Sequence, residues 1–337
     1  MKRPTIGDIA VRAGVSKGAV SYALNGQPGV SEVTRQRILT IAEQIGWQPN
    51  RAARALSGAR ADAVGLVIAR PARVLSFEHF FMAFISGLEA ELSARHIALL
   101  LQVVRDHDEE IAAYRRWWAE RRVDGVIVVD LHVGDDRVPV LEELALPAVI
   151  VGGPDGLGSL PGVWADDAAA VSTAVDYLVA LGHERIASVA GLRSLQHTGI
   201  RTRALQDAMV RHGLPKATVI QTDYTGEEGA QATRSLLSRP GRPTAIIYDN
   251  DVMAVAAIGV AQEMGVDVPR DLSIVGWDDS PLSQLVRPAL TALSRDIPAY
   301  GAHAAALLLA QLDGRPVAPL EDVAARLIAR GSTARAP

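Results

Sequence analysis

Cysteine is absent from the 337 residues, so disulfides, thiolate nucleophiles and thiolate metal sites are excluded from whatever this chain does. Long apolar runs are missing too: nothing approaches the ~18–20 consecutive apolar residues that span a bilayer. The opening stretch MKRPTIGDIA lacks the apolar centre of a secretory signal, and the expectation is a cytoplasmic protein. Common enzyme motifs are lacking as well. No G-x-x-x-x-G-K-[ST] and no G-x-S-x-G occurs, and His183-Glu184 fails as H-E-x-x-H because Ala187 stands where the second histidine belongs. The eight histidines are scattered without ligand spacing. Gly152–Gly158 follows an apolar run, but Pro154 and Pro161 replace the helix N-terminus a phosphate cradle needs, so it reads as a loop. No catalytic residue, metal or cofactor is expected.

What is present is globular: 49% apolar and 21% charged residues, with length for two or three domains at roughly 100–200 residues each. The net charge of −4 conceals a split. Residues 1–60 carry nine basic side chains against three acidic ones, a surplus of +6, which leaves −10 on the other 277 residues. A small basic head on a large acidic body suggests a polyanion-binding module attached to something that need not touch the polyanion.

Caps and periodicity in the head predict three short helices. Thr5 caps the first, with Asp8 at its third helical position and Ile6, Ile9 and Ala10 as its apolar face. Ala13-Gly14-Val15-Ser16 breaks that helix and offers Ser16 as cap of a second, from Lys17 to about Asn25, which is a helix-turn-helix pattern. Ser31 opens a third, with Ile38, Ile41, Ala42 and Ile45 inward before Gly46 stops it. The second helix turns Val20 and Leu24 inward and leaves Lys17, Ser21, Tyr22 and Asn25 outside, a donor-rich set suited to phosphates and base edges. After Trp47, residues 50–58 form a short helix-forming stretch with Asn50 as cap and Gly58 as stop, too short to be stable alone.

These residues resemble one family closely. The run TIGDIAVRAGVSKGAVSYALN at Thr5–Asn25 and PNRAARAL at Pro49–Leu56 are similar to the head of the lactose/galactose repressor (LacI/GalR) family of transcription regulators. The resemblance implies that the helix from Lys17 lies in the major groove, with Ser16, Ser21, Asn25 and Thr34 on phosphates and Lys17 and Tyr22 reading bases. It also implies a hinge helix at 50–60 that pairs with its dimer mate in the minor groove, where Leu56 wedges between base pairs, Ala53 packs beside it and Arg54 faces the DNA. Thr5 and Asn50 join the DNA-binding set. Gly18 offers no side chain where members often have one, and Tyr22 stands where many have arginine.

In the body, apolar runs begin near Val64, Ile97, Gly125 and Ala148, then near Arg185, Ala217, Ala245 and Ser273, mostly separated by amphipathic helical stretches such as Phe84–Arg95 and Asp251–Met264. Continuous apolar strands alternating with helices mean parallel sheets covered on both faces. Two series of four predict two such subdomains with a ligand cleft between the carboxyl ends of their strands. The fold class is therefore a small all-α helix-turn-helix head plus an α/β body of two doubly wound parallel-sheet subdomains. The resemblance, which covers the whole chain, makes this body similar to periplasmic sugar-binding proteins. It places a helix-turn-helix domain at 1–49, one ligand-binding subdomain at 61–162 and 293–320, and the other at 163–292 and 321–337.

By the same resemblance Arg201 forks onto ligand hydroxyls or a carboxylate, Asp278 accepts from adjacent sugar hydroxyls, Asn250 touches the ligand and Tyr224 stacks on it. Asp251 is read as the cap of its helix and Asp279 as a turn or cap carboxylate. His197 and Phe81 are further candidates for the pocket. Gly152-Gly153 stands where some sugar-responsive members carry an acid. The combined expectation is an effector-controlled regulator, a repressor of carbohydrate-utilisation genes, that binds a pseudo-palindromic operator as a homodimer. A solute-binding receptor without a DNA role and a regulator with a purine or phosphosugar co-repressor are the alternatives. No leucine heptad appears at Arg330–Pro337, which disfavours a coiled-coil tetramer.

Overall fold

The computed structural model describes residues 4–47, 60–75 and 78–337, and these divide into two compact units, one up to Ala61 and one from Asp62. In the first unit, α1 (Ile6–Ala13), α2 (Lys17–Leu24) and α3 (Glu32–Gln44) enclose a core of Ile9, Ala10, Ala13, Val20, Ala23, Ile38 and Ala42. The caps are those expected. Thr5 and Asp8 form a reciprocal capping box, with Thr5 N donating to Asp8 Oδ2 at 2.7 Å and Asp8 N donating back to Thr5 Oγ1 at 3.3 Å. Gly14 ends α1 in the left-handed region at φ 65°, the conformation that lets the chain turn sharply into α2. Ser16 accepts from Ala19 N at 3.1 Å. The expected hinge positions Asn50, Ala53, Arg54 and Leu56 lie outside the described residues.

The second unit contains two six-stranded sheets. β1 (Ala63–Ala69), β2 (Ala98–Val104), β3 (Gly125–Val128), β4 (Ala148–Val151), β5 (Gly162–Ala165) and β11 (Leu320–Asp322) form one, all parallel, in the order β11-β5-β4-β3-β1-β2. β6 (Ile186–Ala190), β7 (Thr218–Gln221), β8 (Ala245–Tyr248), β9 (Ser273–Trp277), β10 (Thr291–Ser294) and β12 (Arg326–Ile328) form the other, in the order β12-β10-β9-β8-β6-β7, with only the β10–β12 pair antiparallel. Two series of four strands are thus six and six. The four additional strands span only three or four residues each and lie where the chain passes between sheets. Their sequences, GVWA, TALS, LED and RLI, lack the continuous aliphatic run of strands such as β3 (GVIV). The crossings follow Ala165, Ser294 and Asp322, slightly beyond the expected boundaries after residues 162, 292 and 320, because β5, β10 and β11 each complete the sheet they leave.

Two helices of the first subdomain, His79–Ala94 and Ile297–Leu312, cross at glycine on glycine. A Cβ on Gly87 would run into the carbonyl of Pro298, and one on Gly301 into the carbonyl of Phe84. The crossing brings the crossover helix, which is remote in sequence, against the core of Phe84, Leu88 and Tyr300. No helix among the described residues is long and apolar enough to cross a membrane.

Candidate functional site

In the head, α2 presents the expected surface. Lys17 and Asn25 are exposed and Tyr22 is 48% exposed, while Val20 is fully buried. Asn25 Nδ2 donates to Ser21 Oγ at 3.4 Å, and Thr34 Oγ1 accepts from Ser31 Oγ at 2.9 Å. These contacts hold the short polar side chains of one helix-turn-helix face in place.

In the body, the carboxyl ends of both sheets face a cleft of about 800 Å³, open solvent at its mouth included. Arg70 follows β1, Asp130 lies just past β3, Asp249 follows β8 and Asp278 follows β9, while Arg295 and Asp167 come from the crossover segments. Each guanidinium is anchored. Arg70 Nε donates to Asp130 Oδ2 at 2.8 Å, and its guanidinium carbon sits 4.8 Å from the ring centroid of Tyr224 in the opposite subdomain. Arg201 Nε donates to Asp167 Oδ2 at 2.7 Å, and its Nη1 reaches the carbonyl of Asp249 at 3.4 Å. Arg295 Nη2 takes the other oxygen of Asp167 at 3.3 Å and its Nε approaches Asp278 at 3.9 Å without a hydrogen bond.

Burial sets the protonation of the remaining groups. It pushes the Asp278 carboxyl up to about 6 against the opposing pull of Arg295 and Arg201, and Glu78 up to about 8. Burial also raises Asp249. For Asp130 and Asp167 burial acts in the same direction, but Arg70 on the first and Arg201 with Arg295 on the second outweigh it and hold both below the ordinary range. His197 is driven down to about 3, first by burial and then by Arg201, so its imidazole is neutral at physiological pH. It shares a 2.7 Å hydrogen bond with the Tyr224 hydroxyl, which also lies 3.2 Å from Thr198 Oγ1.

Of the ligand-binding candidates, Phe81, His197, Arg201, Tyr224 and Asp278 line this one cleft. Phe81 is at the same time a core residue. Asn250 is not among the lining residues. It caps the helix Asp251–Glu263 by accepting from Met253 N at 2.9 Å and donates to the Tyr224 carbonyl at 3.0 Å. The cap role expected of Asp251 therefore falls to Asn250, whose extended backbone at φ −148° suits an N-cap, and Asp251 instead accepts from Ser280 N. Asp279 is bound by Arg330 at 2.6 and 2.9 Å.

Sequence reading missed Asp130, Asp167 and Arg295 as site residues. Asp130 had a signal, an acid closing the apolar run that becomes β3. Asp167 and Arg295 had none, because only the crossing of the chain between sheets brings positions 167, 201 and 295 together.

Comparison with known proteins accounts for both units. Residues 5–50 match the model of bacterial regulatory proteins of the lacI family, and residues 175–333 match the periplasmic binding protein-like domain. The HTH-type transcriptional regulator CelR of Thermobifida fusca is 31% identical over 325 residues, 95% of each chain. A solved CelR-cellobiose complex is 30% identical at a TM-score of 0.75, covering 98% of this chain and all of that one. The lac repressor dimer bound to operator and the anti-inducer ONPF is 25% identical at a TM-score of 0.85, covering 99% of this chain and all of that one. A helix-turn-helix head and a two-sheet cleft, matched in sequence over nearly the whole length, place this chain in the LacI family of bacterial regulatory proteins.

Proposed function

We propose that this protein is a transcriptional repressor of carbohydrate-utilisation genes that acts in the cytoplasm as a homodimer on a pseudo-palindromic operator, and that a sugar in the cleft controls its DNA affinity. The observation that carries this reading is the convergence of Arg201, Asp278, His197 and Tyr224 on one cleft between the two sheets, in a chain whose head presents Lys17 and Tyr22 from an exposed helix-turn-helix face. It is not an enzyme in this reading: the cleft binds and signals. One head reads each half-site, so two-fold symmetry of the dimer sets that of the operator. The edge strand β2 leaves Leu101 and Val103 about half exposed, an apolar strip suited to a second copy of the chain.

Charge narrows the effector. The cleft holds the carboxyls of Glu78, Asp130, Asp167, Asp249 and Asp278 against three guanidiniums, each of which already faces a carboxylate. A phosphosugar would add negative charge where no cation is uncommitted. A neutral polyol instead offers hydroxyl donors to carboxylate acceptors. The effector shifts the repressor only by its differential affinity for the DNA-competent and DNA-incompetent arrangements of the body.

The test is a gel shift against operator-containing DNA upstream of the chain's own gene, at stated salt because phosphate contacts make affinity steeply salt-dependent, with neutral sugars, their phosphates and purines added in parallel. Release of a specific shift by a neutral sugar supports the reading. Release or tightening only by a phosphosugar or a purine sinks the choice of effector, and no specific shift sinks the DNA role.

A further inference from the structure

Asp278 faces the cleft, yet its own side chain does not hold it there. Among the described residues its carboxylate makes no hydrogen bond, and Arg295 Nε stays 3.9 Å away. Its direction is therefore set by the backbone. Asp278 at φ 72° and Asp279 at φ 54° are two successive non-glycine residues in the left-handed region. That conformation crowds Cβ against the backbone and persists only where surrounding contacts enforce it.

The enforcing contacts lie on either side of Asp278. Before it, β9 ends in the fully buried Trp277, whose indole is covered by the Arg201 guanidinium. After it, Ser280 N donates to Asp251 Oδ2 at 3.1 Å. Between these anchors Asp279, which is absent from the cleft lining, gives both carboxylate oxygens to Arg330. Arg330 Nη1 donates to Oδ1 at 2.6 Å and Nη2 to Oδ2 at 2.9 Å, and Nη1 also donates to the Leu290 carbonyl at 2.7 Å. A planar fork on a carboxylate fixes its orientation as well as its distance.

Arg330 is itself held. It follows β12, its N donates to Thr291 Oγ1 at 2.8 Å, and two residues on Ser332 pairs with Ile274. Ile274 N donates to the Ser332 carbonyl at 2.8 Å and Ser332 Oγ to the Ile274 carbonyl at 2.6 Å. The tail is thus stitched to β9 and β10 and carries the fork to the turn.

We propose that Arg330 is a positioning residue for effector recognition: by forking onto Asp279 it locks the left-handed turn that aims the Asp278 carboxylate into the cleft, while Arg330 itself does not line the cleft. The inference rests on the sugar-effector reading above. Calorimetric titration of the full-length protein with glucose, maltose, cellobiose, galactose and lactose selects the tightest-bound sugar, which is then titrated into variants. Arg330→Met should weaken it at least tenfold while operator affinity without sugar stays within threefold. Arg330→Lys, which keeps the charge without the fork, should lose less. Asp279→Gly, free to take the left-handed turn without a Cβ, should bind at least threefold more tightly than Asp279→Ala. In an Asp278→Asn background Arg330→Met should cost less than a further twofold, because its effect runs through the carboxylate already removed. Equal losses in both backgrounds, or an Arg330→Met affinity within twofold of wild type, overturns the positioning role and leaves the sugar reading standing. Should Arg330→Met not fold, equal affinity of Asp279→Gly and Asp279→Ala overturns it. Binding of none of the sugars by the wild type overturns both readings.

Discussion

The guanidinium of Arg201 lies on the indole of Trp277, 3.6 Å from the ring centroid, while its Nε is held at 2.7 Å by Asp167. The stack, the Nε contact and the Nη1 contact to the Asp249 carbonyl at 3.4 Å leave Nη2 as the guanidinium nitrogen with no protein partner among the described residues. Lysine keeps the charge but neither the fork nor the stack. Arg201→Lys and Arg201→Ala are therefore expected to weaken effector binding by at least tenfold while operator affinity without effector changes less than threefold. Calorimetry and gel shift on the same preparations check this, and parallel losses of both activities would refute it.

Asp278 gives the cleft a pH dependence. Its folded pKa is raised to about 6, above the unfolded value near 3.9. The ionised form, the one proposed to accept ligand hydroxyls, therefore fills only as pH rises through 6. Effector affinity should be about tenfold weaker at pH 5 than at pH 7.5, and Asp278→Asn should flatten the profile at reduced affinity. For folding the sign is opposite. A raised carboxyl binds its proton more tightly in the native state, so this group contributes stability below about pH 4 that is lost between pH 4 and 6. His197, held near 3, stays neutral throughout and adds no inflection to binding between pH 5 and 8.

Gly87 and Gly301 let two helices of the first subdomain touch backbone to backbone. A methyl at either position must push the helices apart. Gly87→Ala should cost about 1–3 kcal/mol, read by urea unfolding, and the two substitutions together should fall short of additive because one displacement relieves both.

Arg137 is 1% exposed and is bound by Asp135 and Glu110, the latter also accepting from the Tyr114 hydroxyl. Removing the cation strands two carboxylates. Arg137→Met should destabilise the body by about 3–5 kcal/mol, whereas a simultaneous Glu110→Gln should recover part of it. Chemical denaturation of the single and double variants decides this.

Leu56 in the run Asn50–Gly58 is the proposed minor-groove wedge. Leu56→Ala should lower specific operator affinity and DNA bending and leave sugar affinity unchanged, as measured by circular-permutation gel shift and calorimetry. Undiminished bending would remove the wedge from the mechanism.

Much of this molecule is legible along the chain because its signals are local. A capping box needs only Thr5 and Asp8 three residues apart, a left-handed stop needs only Gly14, and a buried parallel strand needs an apolar run such as Val64–Ile68. The motif residues at Thr5–Asn25 are equally local, whereas Arg201, Asp278 and Tyr224 were singled out through the family resemblance; Asp278 and Tyr224 lie just past strands, and Arg201 sits inside the helix Gln196–Arg211. Tertiary structure decided what depends on closure of the chain. The strands β5 (GVWA), β10 (TALS), β11 (LED) and β12 (RLI) pair along the sheets' edges, and their short, mixed sequences lack the continuous aliphatic run that marks β3 (GVIV) or β4 (AVIV). Asp167 and Arg295 enter the cleft only where the chain crosses between sheets, and Asn250 leaves it because a helix N-terminus claims its side chain. Sequence specifies which groups are available, and their energies of pairing and burial, which act across more than a hundred residues of separation, determine which of them meet.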